Sequence, residues 1–297
     1  MKKWHIFLML LCIVFLLSAS FVALKGFAPK VDNILLKLYN PVTIHKTTLY
    51  DEFYNQSIAI YDDVIYTFYC SVDNKGFVES RDMKTDQVLN FTEIDVGHAN
   101  GAFVSDIWRS DSDDTPLFFV SHCTLDNRVS SLYVRDGVFN VHKVYTFDAN
   151  SSGYLASFVV DSENKLGYTV GTAEGYFGYS QGANTVIGVY DMTEEVLQDD
   201  GTYSYRLIDS YEVSEIPGKQ DLDFHDGKIW LLTFDVDTEL TDNVWCIDLE
   251  TREACKTVKN FLTKKISERH GEGITFYDDR LYLNSYLGYT VRYGYYQ

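Results

Sequence analysis

The sequence predicts an all-β fold built from a repeated antiparallel unit, on three observations: an aromatic, proline-poor composition, a strand-end aspartate that keeps returning, and a second apolar marker that recurs out of phase with it. Aromatic residues make up 15% of the chain and only 4 prolines interrupt it, a balance that fits half-buried pleated strands better than helices. Repeats of this length are the mark of radial or stacked architectures, which reach 297 residues as one unit. The predicted architecture is a single β-propeller of about five four-stranded blades.

The chain opens on Met1-Lys2-Lys3 and an apolar run from Ile6 to Leu17, the pattern of an export signal. Ser18-Ala19-Ser20 suits a signal peptidase, yet apolar character resumes from Phe21 to Leu24 before Lys25. The segment reads as a cleaved signal or as an uncut anchor, long enough from Ile6 to Leu24 to cross a bilayer with the N-terminus inside. Residues 1–25 are therefore assigned to export or anchoring and 26–297 to the propeller, which is expected outside the cytoplasm, secreted or held to the membrane only through this segment. Cys12 follows Leu11, where a lipoprotein signal needs a small residue, which argues against a lipid anchor.

The repeat shows first in Tyr69–Asn74 (YCSVDN), which returns as His122–Asn127 (HCTLDN), each followed by a strand ending in Arg-Asp, at Arg81-Asp82 and Arg135-Asp136. The strand-end aspartate returns again at Asp191 and Asp248, roughly every 55 residues. Aspartate followed by short polar residues between two apolar runs is hairpin chemistry. The second marker, a polar residue before an alternating apolar run, begins at Gln56, near Asn100, near Tyr154, at Gln220 and at Glu272. These are read as the opening strands of five blades, with Asp62-Asp63, Asp226-Gly227 and Asp278-Asp279 turning into the second strands. The wide step from Tyr154 to Gln220 fits an insertion at Thr172–Asn184 within five blades, or a sixth blade. After Leu281–Asn284 only Tyr289–Tyr296 remains, so Pro41–Tyr50 is expected to pair with it as the missing outer strand and close the ring.

A net charge of −18 repels nucleic acid and anionic surfaces and excludes nucleic-acid binding. In a propeller the residues that open the innermost strands gather at one mouth of the axis, which nominates Gln56, His98, Asn100, Tyr154, Gln220, Asp221, His270 and Glu272 as ligand-facing. The competing reading is that they cap the channel and satisfy strand-end amides. Glu272, between Gly271 and Gly273, is the candidate acid/base or cation ligand. No cofactor is required; calcium held by Glu272, Asn100, Gln220 and carbonyls is the metal the oxygen-rich ring would suit. Zinc, nucleotide and hydrolase motifs are absent. Cys246 and Cys255 face each other if the hairpin turns at Glu250-Thr251 and form a candidate disulfide, while Cys70 and Cys123 are expected as unbridged thiols.

The Glu272–Thr275 stretch resembles a motif of the five-bladed plant-type glutaminyl cyclases, and Glu272 is similar in place to the axial glutamate of calcium-dependent gluconolactonase-like propellers. The likeness covers a few residues; the tryptophan-rich and Thr-Gln-Gly-Leu signatures of the cyclases are missing, with Gln56-Ser57-Ile58 and Gln220-Asp221-Leu222 standing in their place. Two functions follow. One is a binding or interaction module for a peptide, glycan or protein partner, supported by the aromatic loop Tyr176–Ser180; the other is a cyclotransferase- or lactonase-like enzyme using Glu272 at the channel mouth.

Overall fold

The described residues all belong to one compact unit, Pro41–Gln297. The computed structural model describes residues 42–46, 53–124, 126–173, 184–214, 216, 218–234, 242–259, 271–285 and 289–295, so the segment read as an export signal or anchor, His270 and the aromatic loop lie outside the described residues. Among the described residues no helix is long and apolar enough to cross a membrane.

The fold is almost all β. After β1 (Val42–Lys46), a first sheet holds β2 (Phe53–Tyr61), β3 (Val64–Ser71), β4 (Gly76–Asp82) and β5 (Val88–Ile94) in sequence order. A second antiparallel set holds β6 (Ala102–Val104), β7 (Phe118–Ser121), β8 (Val129–Arg135) and β9 (Val138–Tyr145). One short helix, α1 (Ala149–Ser152), leads into a third set of β10 (Tyr154–Asp161), β11 (Leu166–Thr172), β12 (Thr185–Leu197) and β13 (Tyr203–Val213). These two sets merge into one 8-stranded sheet through a parallel pairing of Tyr203 with Tyr145. A fourth sheet holds β14 (Lys219–His225), β15 (Lys228–Phe234), β16 (Asp242–Asp248) and β17 (Glu253–Lys259). The last sheet runs β18 (Gly271–Tyr277), β19 (Arg280–Ser285) and β20 (Tyr289–Tyr295), with β1 on the outer edge of β20.

Turn chemistry fixes this order locally. Asp62-Asp63, Asp226-Gly227 and Asp278-Asp279 all have positive φ, between 48° and 67°. The flanking pairs Tyr61 with Val64, His225 with Lys228 and Tyr277 with Arg280 make each a two-residue loop of the primed type that matches strand twist. Three of the recurrent aspartates cap the next hairpin in their sheets, while Asp136 forms with Gly137 the two-residue turn between Arg135 and Val138. Asp82 accepts from the backbone N–H of Lys84 and Thr85, Asp191 from Thr193, and Asp248 from Glu250 and Thr251. The predicted insertion sits inside a hairpin, since Thr172 pairs directly with Thr185. Cys246 stands opposite Cys255, the register the sequence predicts; the Cys255 side chain lies outside the described residues.

The first strands of the sheets pack on one another: β2 touches β6 and β18, and β14 touches β10, β18 and β6. Aromatic rings fill the seams between sheets. Tyr66, Phe68, Phe118 and Phe139 meet between the first and second sets, Phe119, Phe147 and Phe158 between the second and third, and Trp230 meets Phe276 between the fourth and fifth. Rings at centroid distances of 4.9 to 6.2 Å, edge-on or tilted except for the stacked Phe147–Phe158 pair, combine area burial with specific packing. The arrangement is consistent with a β-propeller.

Candidate functional site

The polar residues that open the first strands share a backbone device. The β2–β3 register slips between Asn55 and Ser57, the β14–β15 register between Lys219 and Asp221, and the β18–β19 register between Gly271 and Gly273. Gln56, Gln220 and Glu272 are thus the extra residues of three equivalent β-bulges, and β10 carries the same irregularity between Tyr154 and Ser157. A bulge re-aims its side chain out of the alternation of the strand. All three bulged side chains are buried, at 6%, 9% and 3% exposure respectively.

Two carboxylates of β14 are buried here, Asp221, which the sequence nominates, and Asp223, which it does not. Asp221 and Asp223, two apart on β14, project to the same side. Asp221 accepts from the N–H of Leu222 at 2.8 Å, Ile274 at 3.0 Å and Ala102 at 3.2 Å. Asp223 accepts from Phe224 at 2.7 Å and from Phe276. The first strand of a sheet has one edge with no ladder partner, and these side chains satisfy the bare N–H groups along the edges of β6 and β18. Burial pushes Asp221 well above the usual carboxylate range and Asp223 up to about 7, against the pull of the backbone donors. Asp223 was missed by sequence reasoning, although its spacing from Asp221 on an alternating strand was the signal available.

Asn100, Gln220 and Asp221 do come together, around a cavity of about 50 Å3 that Ser157, Thr172 and Cys123 also line. Lys219 reaches its edge, donating from Nζ to Thr172 Oγ1 at 3.1 Å. The cavity has room for one or two waters. Gln56, His98, Tyr154 and Glu272 are not among its described lining residues. His98 stands instead beside Cys70, with Nδ1 3.3 Å from Sγ and 3.0 Å from Asn74 Oδ1. Burial pushes the Cys70 thiol up to about 11 and the His98 imidazole down, so the pair is held neutral, opposite to an activated nucleophile. Cys70 and Cys123 are free thiols, as expected. No group of three His, Cys, Asp or Glu among the described residues is placed to hold a metal ion.

Neighbouring sheets are tied by buried asparagines. Asn127, from the repeated HCTLDN, donates from Nδ2 to Phe147 O, Ser152 Oγ and Gly153 O and accepts from the Ala156 N–H. Asn55 donates to Ser285 O at 2.9 Å and is fully buried.

A larger space opens at the turn ends of the first two sets, away from the bulged start of β2. This groove of about 460 Å3 runs between β2–β5 and β8–β9, with Tyr66, Val134 and Phe139 in its floor and Leu89 and Val138 exposed on its rim. Its size is that of an ordinary ligand site. Sequence reasoning did not find it, because the repeats shared by these two sets locate their hairpins and do not tell which side chains meet between them.

No protein-family model matches the chain, and no curated protein matches it. Among solved structures, it is similar to a chain of a nidogen/laminin complex (14% identity, 78% of this chain and 72% of that one, TM-score 0.40). It is also similar to an alpha-L-arabinofuranosidase from Clostridium thermocellum (11% identity, 77% and 80% covered, TM-score 0.46). A third likeness is to a chain of a mitotic checkpoint complex (8% identity, 84% and 80% covered, TM-score 0.42). With all three scores under 0.5, the fold description rests on the strand order and registers given above.

Proposed function

We propose that the chain is an extracytoplasmic binding module, a five-bladed propeller closed by its N-terminal strand, which engages a peptide, glycan or protein partner through a surface groove. The contrast in space carries this reading: about 50 Å3 beside Asp221 against about 460 Å3 between the first two sets. A substrate for the alternative enzyme would have to reach Glu272, which is 3% exposed, and Asp221 is engaged by three backbone donors. The five sets of four strands and the pairing of Val42 with Arg292 support blade number and closure. Calcium held by Glu272, Asn100 and Gln220 would need Glu272 beside the cavity that the other two share, and Glu272 is not among its described lining residues. An oxidising compartment would allow Cys246 to bridge Cys255, seen as protection of both from alkylation until reductant is added.

The test is thermal unfolding of the full chain with calcium, glycans and peptides, comparing wild type with Glu272→Ala and Val138→Lys. The binding-module reading expects a peptide or glycan whose stabilisation survives Glu272→Ala and disappears in Val138→Lys. Stabilisation lost only in Glu272→Ala would move the site to the first-strand mouth and revive the enzyme.

A further inference from the structure

Three features of the groove bear on the chemistry of its occupant. Asp62, Asp114 and Asp136 stand exposed around it, and no lysine or arginine lines it among the described residues. Asp114 already accepts from the Gly137 N–H at 2.8 Å, so its carboxylate is held in place by backbone. The walls are aromatic and aliphatic: the Tyr66 ring meets Phe139 edge-on at 5.6 Å. Burial, then the carboxylates of Asp114 and Asp62, push the Tyr66 phenol up. The third feature is independent of charge. Thr115 lines the groove at 3% exposure, and its hydroxyl has no hydrogen-bond partner. A buried hydroxyl left unpaired is costly in a folded protein and is satisfied when a ligand donates to it or accepts from it.

We propose that this groove receives a lysine or arginine side chain of a partner polypeptide, its alkyl stem lying on Leu89, Val138 and Phe139 and its cationic head between the carboxylates and the Thr115 hydroxyl. The proposal rests on the binding-module reading and names the partner's chemistry. A long basic side chain suits such a place because its stem is apolar and its head is charged. Aromatic faces add cation–π attraction, and the carboxylates add charge-assisted hydrogen bonds. Charge complementarity also agrees at long range, since a chain of net charge −18 draws cationic segments toward it.

Fluorescence anisotropy of labelled pentapeptides, acetyl-Gly-Leu-Xaa-Leu-Gly with arginine, lysine, citrulline, Nε-acetyl-lysine or glutamate at the centre, tests this against the full chain. The arginine and lysine peptides are expected to bind at least tenfold more tightly than the neutral and acidic ones, and to weaken as salt rises. Asp62→Asn with Asp136→Asn is expected to weaken them at least fivefold, and the near-isosteric Thr115→Val severalfold, with unfolding temperatures showing that both variants fold. Citrulline binding as tightly as arginine, while Val138→Lys still abolishes both, would overturn the cation and leave the groove as a binding surface. Butylguanidinium alone binding as tightly as the arginine peptide would overturn the polypeptide partner. Binding indifferent to all of these substitutions, or none at all, would overturn the proposal; the binding-module reading fails separately if ligands that stabilise the wild type stabilise Val138→Lys equally.

Discussion

At the scale of single residues, buried polar groups here hold edges and seams. Asp223 has its pKa raised to about 7 by burial, against an unfolded value near 3.8. Below about pH 4 both states bind the proton and no penalty arises. Between about pH 4 and 7 the unfolded chain has released the proton while the folded one keeps it, so stability falls with rising pH by up to about 1.4 kcal/mol per unit for this group. Asp221 acts in the same direction. The turn aspartates Asp82, Asp191 and Asp248 have lowered values and act below pH 4, where their contribution is lost as they protonate. Asp223→Asn should therefore show a shallower decline in stability from pH 4 to 7 in calorimetry; an unchanged slope would remove Asp223 as its source. Asn127→Ala breaks four contacts between the second and third sets and strands the Ala156 N–H. It should cost about 3 kcal/mol in urea unfolding.

At the scale of elements, the hairpin of β12 and β13 overruns its own four-stranded set and clasps the second set. Tyr205 donates to the Tyr145 hydroxyl at 3.0 Å, and Tyr145 donates in turn to Glu195 at 3.0 Å, while Lys143 pairs with the same carboxylate. Tyr145 is buried whereas the Lys143–Glu195 pair is partly exposed. Tyr145→Phe should thus destabilise by about 1–2 kcal/mol and Lys143→Met by less than about 1 kcal/mol; the reverse order in denaturant titrations would show that charge, not the hydroxyl chain, holds the clasp. Elements defined by local chemistry were legible in the sequence. The two-residue aspartate turns, the aspartate-capped hairpins, the Cys246–Cys255 register and the pairing of the 41–50 segment with the final strand all follow from residues within one or two hairpins. The mouth was legible in part, because Gln56, Gln220 and Glu272 mark repeated bulges, but bulging buried them instead of presenting them. The clasp and the groove were not legible, since each depends on which side chains meet across sheets far apart in sequence.

For the whole molecule, the decisive element is the shortest to describe. β1 adds one outer strand to the last sheet, with Val42 opposite Arg292 and Lys46 opposite Tyr289, and brings the start of the compact unit to its end. Without it, β20 would present a row of bare N–H and C=O groups, the template on which sheets pair between molecules. The net charge of −18 opposes such association through mutual repulsion, and salt screens that repulsion within about 10 Å. Deleting Val42–Lys46 should therefore do two separable things. The unfolding temperature should drop on the order of 5–10 °C, as expected when a few kcal/mol of strand pairing is lost from a domain of this size. The deleted chain should also self-associate in light scattering, more strongly at high salt than at low, while the intact chain does not. A deletion that lowers stability without salt-dependent association would mean that β20 is protected by something other than β1. One that changes neither would show that the five sets are held together by the contacts of their first strands alone, with the N-terminal strand contributing no closure.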